Sequence, residues 1–173
     1  MPQSRSRTLS RLAGLALAAA VPAAQADWQY THWGMSKNQV LLAADGALSD
    51  TMTRRAADPY VGLRGHYEAG PHKFDAAMLF DAGDNLTGVL LSQRTSGECV
   101  QTLGDLKAKY GAGQDLTTRR GPIEILWSDA QSSNRIKYEA RDRVAPRGAT
   151  GGHDIACTVR YEPFAAPSSA DGL

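Results

Sequence analysis

The chain has 173 residues, of which 42% are hydrophobic and 21% are charged. This composition is typical of one ordinary globular domain and excludes an intrinsically disordered chain or a collagen-like repeat. The 19 Lys and Arg residues nearly balance the 18 Asp and Glu residues, which argues against a nucleic-acid-binding protein because neutralising phosphates needs a clustered excess of basic residues.

The first 26 residues have the features of a secretory signal peptide. Three separated arginines, at positions 5, 7 and 11, precede the apolar stretch 12–21, and Ala24-Gln25-Ala26 forms an A-x-A cleavage site. No stretch reaches the roughly 20 apolar residues that a membrane span needs. We therefore expect cleavage after Ala26 and a periplasmic or secreted protein with no membrane span and no cofactor. An uncleaved N-terminal anchor is the alternative.

A first helix is predicted at about 36–45. Ser36 and Gln39 form an S-x-x-Q capping box, the apolar run 40–44 follows, and Gly46 is placed as a C-terminal stop.

A second helix is predicted at about 97–110. Thr95 and Glu98 form a T-x-x-E box, and Gly111 follows the last helical position. The apolar stripe of this helix is expected to comprise Cys99, Leu103, Leu106 and Tyr110.

Alternating apolar and polar residues predict antiparallel strands in most of the remaining chain. Two hairpins are expected, at 74–91 around the turn 81–85 and at 123–141 around the turn 129–134. The residues 154–161 form a last strand, and 27–33 and 61–69 are weaker strand candidates. We expect an exposed loop at 143–152, a single α+β domain at 27–162 and a disordered tail at 163–173.

The two cysteines of the chain, Cys99 and Cys157, are expected to form a disulfide. An exported chain meets an oxidising compartment, and both residues face the predicted core, one from the second helix and one from the last strand. A cysteine nucleophile is the alternative.

A short internal repeat suggests two tandem units. Residues 46–55 and 111–120 lie 65 positions apart and match at six of ten positions, and both segments start at a predicted helix stop. Duplication of a helix followed by antiparallel strands would give units of about 27–95 and 96–162 within one helix-and-sheet domain. Chance similarity between two helix exits is the alternative.

The segment Gly34-Met35-Ser36 to Val40, at the start of the first helix, and Tyr110-Gly111, at the end of the second, carry a family resemblance. In its order of a helix followed by antiparallel strands, the chain resembles the exported beta-lactamase inhibitor proteins and the related small lipoprotein of the outer-membrane assembly machinery, whose units also run from a helix into strands. The resemblance implies a protein-binding surface on a sheet face. The chain departs from the lipoprotein in having no cysteine at the expected cleavage site.

The sequence contains no G-x-S-x-G, H-E-x-x-H, P-loop or G-x-G-x-x-G motif. His66 and Glu68 share one face of a predicted strand, with His72 nearby, so a zinc site or an unrecognised hydrolase is an alternative to a polar strand surface. The cluster of Asp81, Asp84 and Asn85 fits a hairpin turn better than a calcium loop. We therefore expect no metal.

Five residues are candidates for a binding surface. Trp28, Tyr60 and Tyr67 are candidates because Trp and Tyr dominate interface hot spots, although each could instead belong to the core. Arg54 and Arg119, one from each copy of the repeat, could meet an anionic group or could be solvated strand charges that oppose aggregation.

Together these features favour a binding protein that recognises an exported or envelope protein, as an inhibitor or an envelope accessory. The second hypothesis is a carrier of a small apolar or anionic ligand, held between the helices and the sheet near Arg54 or Arg119. The third is a hydrolase using His66 and Glu68, so enzymatic activity stays open but is less favoured than binding.

Overall fold

A computed structural model describes residues 27–51, 59–143 and 154–164, which contain two helices and ten strands. The helices are α1 (Lys37–Ala43) and α2 (Ser96–Tyr110). The strands are β1 (Asp27–Trp28), β2 (Thr31–His32), β3 (Leu48–Asp50), β4 (Tyr60–Ala69), β5 (His72–Phe80), β6 (Leu86–Gln93), β7 (Gln114–Asp115), β8 (Ile123–Asp129), β9 (Asn134–Arg143) and β10 (Asp154–Pro163).

Eight of these strands form one antiparallel sheet in the order β3-β4-β5-β6-β10-β9-β8-β7. The two predicted hairpins are present as β5-β6 and β8-β9, and β6 pairs with β10 at the middle of the sheet. The edge strands β3 and β7 have only three and two residues, and short edges limit pairing with other chains. The two helices and the large sheet agree with an α+β architecture in which sheet predominates.

One helix followed by four strands occurs twice in the chain order, as α1 with β3 to β6 and as α2 with β7 to β10. Gly46 and Gly111, at which the two copies of the sequence repeat begin, both have a φ of 84°. The tandem duplication itself stays a prediction.

The capping box predicted for α1 is confirmed. The Ser36 hydroxyl accepts a hydrogen bond from the Gln39 N–H, and the Gln39 side chain accepts one from the Ser36 N–H at 2.8 Å. The helix ends at Ala43, earlier than predicted, because Asp45 and Gly46 take positive φ angles of 45° and 84°.

The second helix is confirmed at Ser96–Tyr110, with Thr95 as its N-terminal cap. Its buried residues differ from the predicted stripe. Thr102 is buried together with Cys99 and Leu106, whereas Leu103 and Tyr110 are only partly buried at the edge of the core. A polar residue thus takes a core position that the apolar spacing assigned to Leu103.

Both helices lie on the same face of the sheet. The disulfide joins Cys99 of α2 to Cys157 of β10, with the Cα atoms 5.7 Å apart, which confirms the predicted pairing. In the chain-entropy model, a cross-link across 58 positions stabilises the fold by about 4 kcal/mol. The Tyr138 hydroxyl donates to the Cys99 carbonyl at 3.0 Å, and burial raises the pKa of Tyr138 to about 12.

The core lies between this sheet face and the helices. Its fully buried side chains include Val40, Leu63, Met78, Phe80, Leu86, Val89, Ile136 and Tyr138. Fully burying an apolar side chain of this size contributes roughly 1.5–3 kcal/mol. In the ranges that the structure describes, neither helix is long and apolar enough to cross a membrane.

Several weaker sequence predictions are confirmed or refined. The strand predicted at 61–69 is confirmed as part of β4, and the segment 27–33 forms a separate two-stranded hairpin instead of one strand. The last strand extends to Pro163, and the Phe164 N–H donates to the Ser133 carbonyl at 2.7 Å, so ordered structure continues past the predicted start of the tail. The loop expected at 143–152 lies outside the described residues except for Arg143, which ends β9.

Candidate functional site

A cleft of about 260 Å³ lies between the C-terminal half of α2 and the sheet. We call it the α2 cleft. Its apolar floor consists of Phe74, Leu91, Leu106 and Val159, all of them buried. Polar groups line its two ends.

One end of the α2 cleft carries tyrosines and a lysine. Tyr67, Tyr110, Tyr161 and Lys109 line this end. Burial raises the pKa of Tyr161, and the neighbouring phenols of Tyr110 and Tyr67 raise it further. Interaction with the Tyr110 side chain raises the pKa of Lys109 although partial burial opposes this, so Lys109 is a cation at neutral pH.

The other end contains a chain of hydrogen bonds through His72. The Gln93 Nε2 donates to the Lys73 carbonyl at 3.4 Å, which leaves the Gln93 Oε1 to accept from the Thr102 hydroxyl at 2.7 Å. The Thr102 hydroxyl oxygen also lies 3.1 Å from the His72 Nδ1. The His72 Nε2 lies 2.6 Å from the Asp105 Oδ2.

Both ring nitrogens of His72 therefore have partners, the Thr102 hydroxyl on one side and the Asp105 carboxylate on the other. The arrangement resembles a nucleophile–base–acid triad only in composition, because a base must accept the hydroxyl proton of its nucleophile. The Thr102 hydroxyl instead donates to the Gln93 Oε1. The chemistry that this end supports is therefore positioning through hydrogen bonds, not nucleophilic attack by Thr102.

The zinc and hydrolase hypotheses placed His66 and Glu68 with His72. The His66 side chain is 88% exposed and lies 3.4 Å from Asp75, whereas His72 is buried on the opposite face of the sheet, beside α2. The register explains the separation, because His66 pairs with Asp75 and His72 pairs with Ala69. Across the described ranges, no three His, Cys, Asp or Glu residues come together in a way that could hold a metal.

The cluster Asp81, Asp84 and Asn85 forms the β5-β6 turn. The Asp81 carboxylate accepts from the Gly83 and Asn85 N–H groups, both at 2.8 Å. The hydrogen bonds from the Asn85 backbone and side chain lower the pKa of Asp81. The Tyr60 hydroxyl donates to the Asp84 carboxylate, so these oxygens serve the turn itself.

The predicted binding residues do not share one surface. Trp28 and Tyr60 are core side chains, 7% and 5% exposed. Tyr67 packs against Trp28, with ring centroids 5.0 Å apart, and lines the α2 cleft. Arg119 is exposed in a turn that the Gly121 N–H closes, and not in a strand as the repeat suggested. Arg54 lies outside the described residues.

The sheet face opposite the helices carries most of its charged strand residues, and we call it the open face. Its basic residues are Arg64, Lys73, Arg94, Arg135, Lys137, Arg141 and Arg160, and its acidic residues are Glu68, Asp75, Glu124, Glu139 and Glu162. The strand register places these side chains on one face, because directly paired residues of antiparallel strands point the same way.

A ladder of ion pairs joins β8 and β9 on the open face. Glu124 and Glu139 are directly paired across two strands, and the Lys137 Nζ bridges them at 2.5 and 3.5 Å. The hydrogen bond to Glu124 raises the pKa of Lys137. Partial burial alone would raise the pKa of Glu139, but the hydrogen bond and charge of Arg141, 2.5 Å away, together with Lys137, lower it overall.

The α2 cleft and its polar ends were not predicted from the sequence. One signal was present: Thr102, Asp105 and Lys109 follow one another at spacings of three and four residues, which places them on one face of α2. That polar stripe adjoins the apolar one and marks the cleft side of the helix.

Comparisons with protein-family models, with curated proteins and with solved structures gave no match to this chain. Its function is therefore inferred from the geometry and charges of the α2 cleft and the open face.

Proposed function

We propose that this protein is an exported binding protein that recognises an acidic surface of another exported or envelope protein through its open face, without a cofactor. The observation that carries the proposal is the difference in solvent exposure between the basic and the acidic side chains of this face. Five of its seven basic residues are exposed, whereas four of its five acidic residues are only partly exposed and Glu68 is exposed.

The exposed fractions show this arrangement. The side chains of Lys73, Arg94 and Arg141 are 78%, 71% and 67% exposed. In contrast, the side chains of Glu124, Glu139 and Glu162 are only 21–25% exposed. An approaching partner therefore meets mainly basic groups first, with Glu68, at 68% exposed, as the acidic exception.

Arg64 extends this basic surface onto β4. It is exposed, and its cross-strand neighbours Ser49 and Ala77 are small. Within the described part of the chain, no carboxylate lies within ion-pair distance of Arg64. Its guanidinium is thus available for a planar, bidentate contact with a partner's carboxylate.

The rest of the described chain has the opposite charge. Outside the open face, and without the Asp154–Arg143 pair at the end of β9 and β10, ten Asp and Glu residues stand against five Lys and Arg residues in the described ranges. An acidic partner would therefore be steered towards the open face and repelled by the remaining surface.

The finer sequence predictions belong to the same proposal. We infer cleavage after Ala26 and a periplasmic or secreted location, which the Cys99–Cys157 disulfide supports because disulfides persist in oxidising compartments. We also infer that the units 27–95 and 96–162 arose by tandem duplication, supported by the recurring order of one helix and four strands. The similarity to the beta-lactamase inhibitor group is compatible with recognition through a sheet face.

The test is capture from envelope and secreted extracts by the mature chain, residues 27–173, followed by mass spectrometry. Wild type is compared with Arg64→Glu and Arg141→Glu on the open face. Lys107→Glu is the matched control, because Lys107 is exposed on α2, on the other side of the sheet.

We expect one saturable partner that wild type and Lys107→Glu retain equally. Each open-face variant should bind it at least about tenfold more weakly, and added salt should weaken the wild-type complex. A partner that all four proteins bind alike, or the lack of any saturable partner, would contradict recognition through the open face.

A further inference from the structure

We propose that the α2 cleft is a second, separate binding site, which takes a small organic anion with an apolar body and one carboxylate-like head group. The head group would lie at the end formed by Lys109 and the tyrosines, and the apolar body would lie on the buried floor. This site does not depend on protein recognition by the open face.

The size and floor of the cleft fit a small apolar body. Its volume of about 260 Å³ corresponds to roughly nine water-sized groups at about 30 Å³ each. Phe74, Leu91, Leu106 and Val159 are buried and apolar, so covering them with an apolar chain removes further hydrocarbon surface from water.

The head-group end offers a cation that is not already paired with an acid. Within the described residues, no carboxylate lies within ion-pair distance of Lys109. Asp129 is the acidic residue whose charge acts on Lys109, but its carboxylate already accepts hydrogen bonds within its own turn. The Asp129 carboxylate accepts from the Ser132 hydroxyl at 2.6 Å and from the Gln131 N–H at 3.1 Å.

The tyrosines add donors to this charge. The Tyr67 hydroxyl oxygen accepts from the Gln29 Nε2 at 2.8 Å, which leaves its O–H free to donate. Tyr110 interacts directly with both Lys109 and Tyr161, and both phenols line this end of the cleft. A carboxylate accepts several hydrogen bonds at once, and bonds between charged and polar groups are the stronger ones.

The opposite end does not compete for the anion and does not favour a cation. The Asp105 carboxylate is engaged by His72, with 2.6 Å between the Nε2 and Oδ2 atoms. A cationic head group at the tyrosines would be repelled by Lys109. The charge pattern therefore selects an anion over a neutral or cationic molecule with the same tail.

The experiment titrates the mature chain with sodium octanoate by calorimetry, with 1-octanol and octyltrimethylammonium as probes of the same tail length. We expect saturable one-to-one binding of octanoate, weaker binding of octanol and no binding of the cation. Lys109→Met should weaken octanoate binding by about tenfold or more, because it removes the charge and its hydrogen bonds.

Lys107→Met is the matched control, since Lys107 lies on the same helix but does not line the cleft. It should bind octanoate as wild type does. Equal binding of the cation, equal loss in both lysine variants, or no saturable binding of octanoate would overturn the proposal. In spectra of labelled protein, octanoate should shift the methyl signals of Leu106 and Val159, and shifts confined to the open face would also overturn it.

Discussion

At the scale of single residues, the most informative group is His72, because its two ring nitrogens have defined partners. The Thr102 hydroxyl lies against one nitrogen and the Asp105 carboxylate against the other. The His72 side chain is 8% exposed, so the loss of a partner would leave a buried polar nitrogen without a hydrogen bond.

We predict that Asp105→Asn lowers the free energy of unfolding by about 1–2 kcal/mol. A hydrogen bond to a charged group contributes about 1.5–3 kcal/mol, and the 63% exposure of the Asp105 side chain reduces this through solvent screening. Urea denaturation measures the change. Asp45→Asn is the control, because Asp45 is exposed with a positive φ that Asn tolerates; equal stability of the two variants would argue against a stabilising contact between His72 and Asp105.

A second residue-scale prediction concerns Glu139 and acid. Its pKa is lowered in the folded protein, so its contribution to stability is complete above the unfolded value, near pH 4.5, and is lost as the pH falls through the folded value. Glu139→Gln should therefore be less stable than wild type at about pH 7 and approach it at about pH 3. Urea denaturation at both pH values tests this.

Glu68→Gln is the control for that experiment. Glu68 is an exposed carboxylate, 3.4 Å from Lys73, and such surface pairs contribute little. Its variant should follow wild type at both pH values. A Glu139→Gln variant with a constant stability difference across this range would contradict the role of Arg141 and Lys137 in holding the carboxylate charged.

At the scale of elements, the connection from α2 to β7 fixes how the second helix meets the sheet. Gly111 and Gly113 have φ angles of 84° and 74°. The Trp127 Nε1 donates to the Gly111 carbonyl at 2.8 Å. A Cβ at Gly113 would lie 2.6 Å from the same Trp127 nitrogen. The close packing of this connection against the buried Trp127 therefore needs glycine at position 113.

Gly113→Ala should lower the free energy of unfolding by roughly 1–3 kcal/mol or more, because a positive φ and a close contact both penalise the new Cβ. Gly104→Ala lies within α2, where an added Cβ would meet no atom within 4 Å. It should instead stabilise by about 0.5–1 kcal/mol, as alanine does in a helix. Thermal and urea denaturation compare them. A Gly113→Ala protein as stable as Gly104→Ala would show that the connection adapts.

The sequence predicted those elements whose signals are local. The Ser36 and Thr95 caps and the hairpins β5-β6 and β8-β9 depend on residues close together in the chain, and all of them are present. The disulfide could be predicted because two cysteines allow a single pairing. The burial of Trp28 and Tyr60 could not, because hydrophobic character does not distinguish a core aromatic from an exposed one.

The candidate sites were harder to predict than the elements. The pair His72–Asp105 joins residues 33 positions apart, and it requires the packing of α2 against β5, which no local pattern specifies. The open face also depends on the register of strands that are distant in sequence, such as β6 with β10.

At the scale of the whole molecule, the two sides of the sheet differ in chemistry. The helix side holds the apolar core, the disulfide and the α2 cleft. On the open face most basic residues are exposed and most acidic residues are only partly exposed, with Glu68 as an exposed exception. Our two proposals follow this division, since protein recognition belongs to one side of the sheet and a small anion to the other.

The five lysines of the chain allow this division to be tested directly, because Lys73 is on the open face and Lys107 is on α2. Both side chains are exposed. The measurement is the rate at which an acetylating reagent modifies each lysine of the mature chain, with and without the captured protein partner, followed by mass spectrometry. We predict that the partner slows modification of Lys73 and leaves that of Lys107 unchanged; protection of Lys107 with Lys73 still fully reactive would contradict recognition through the open face.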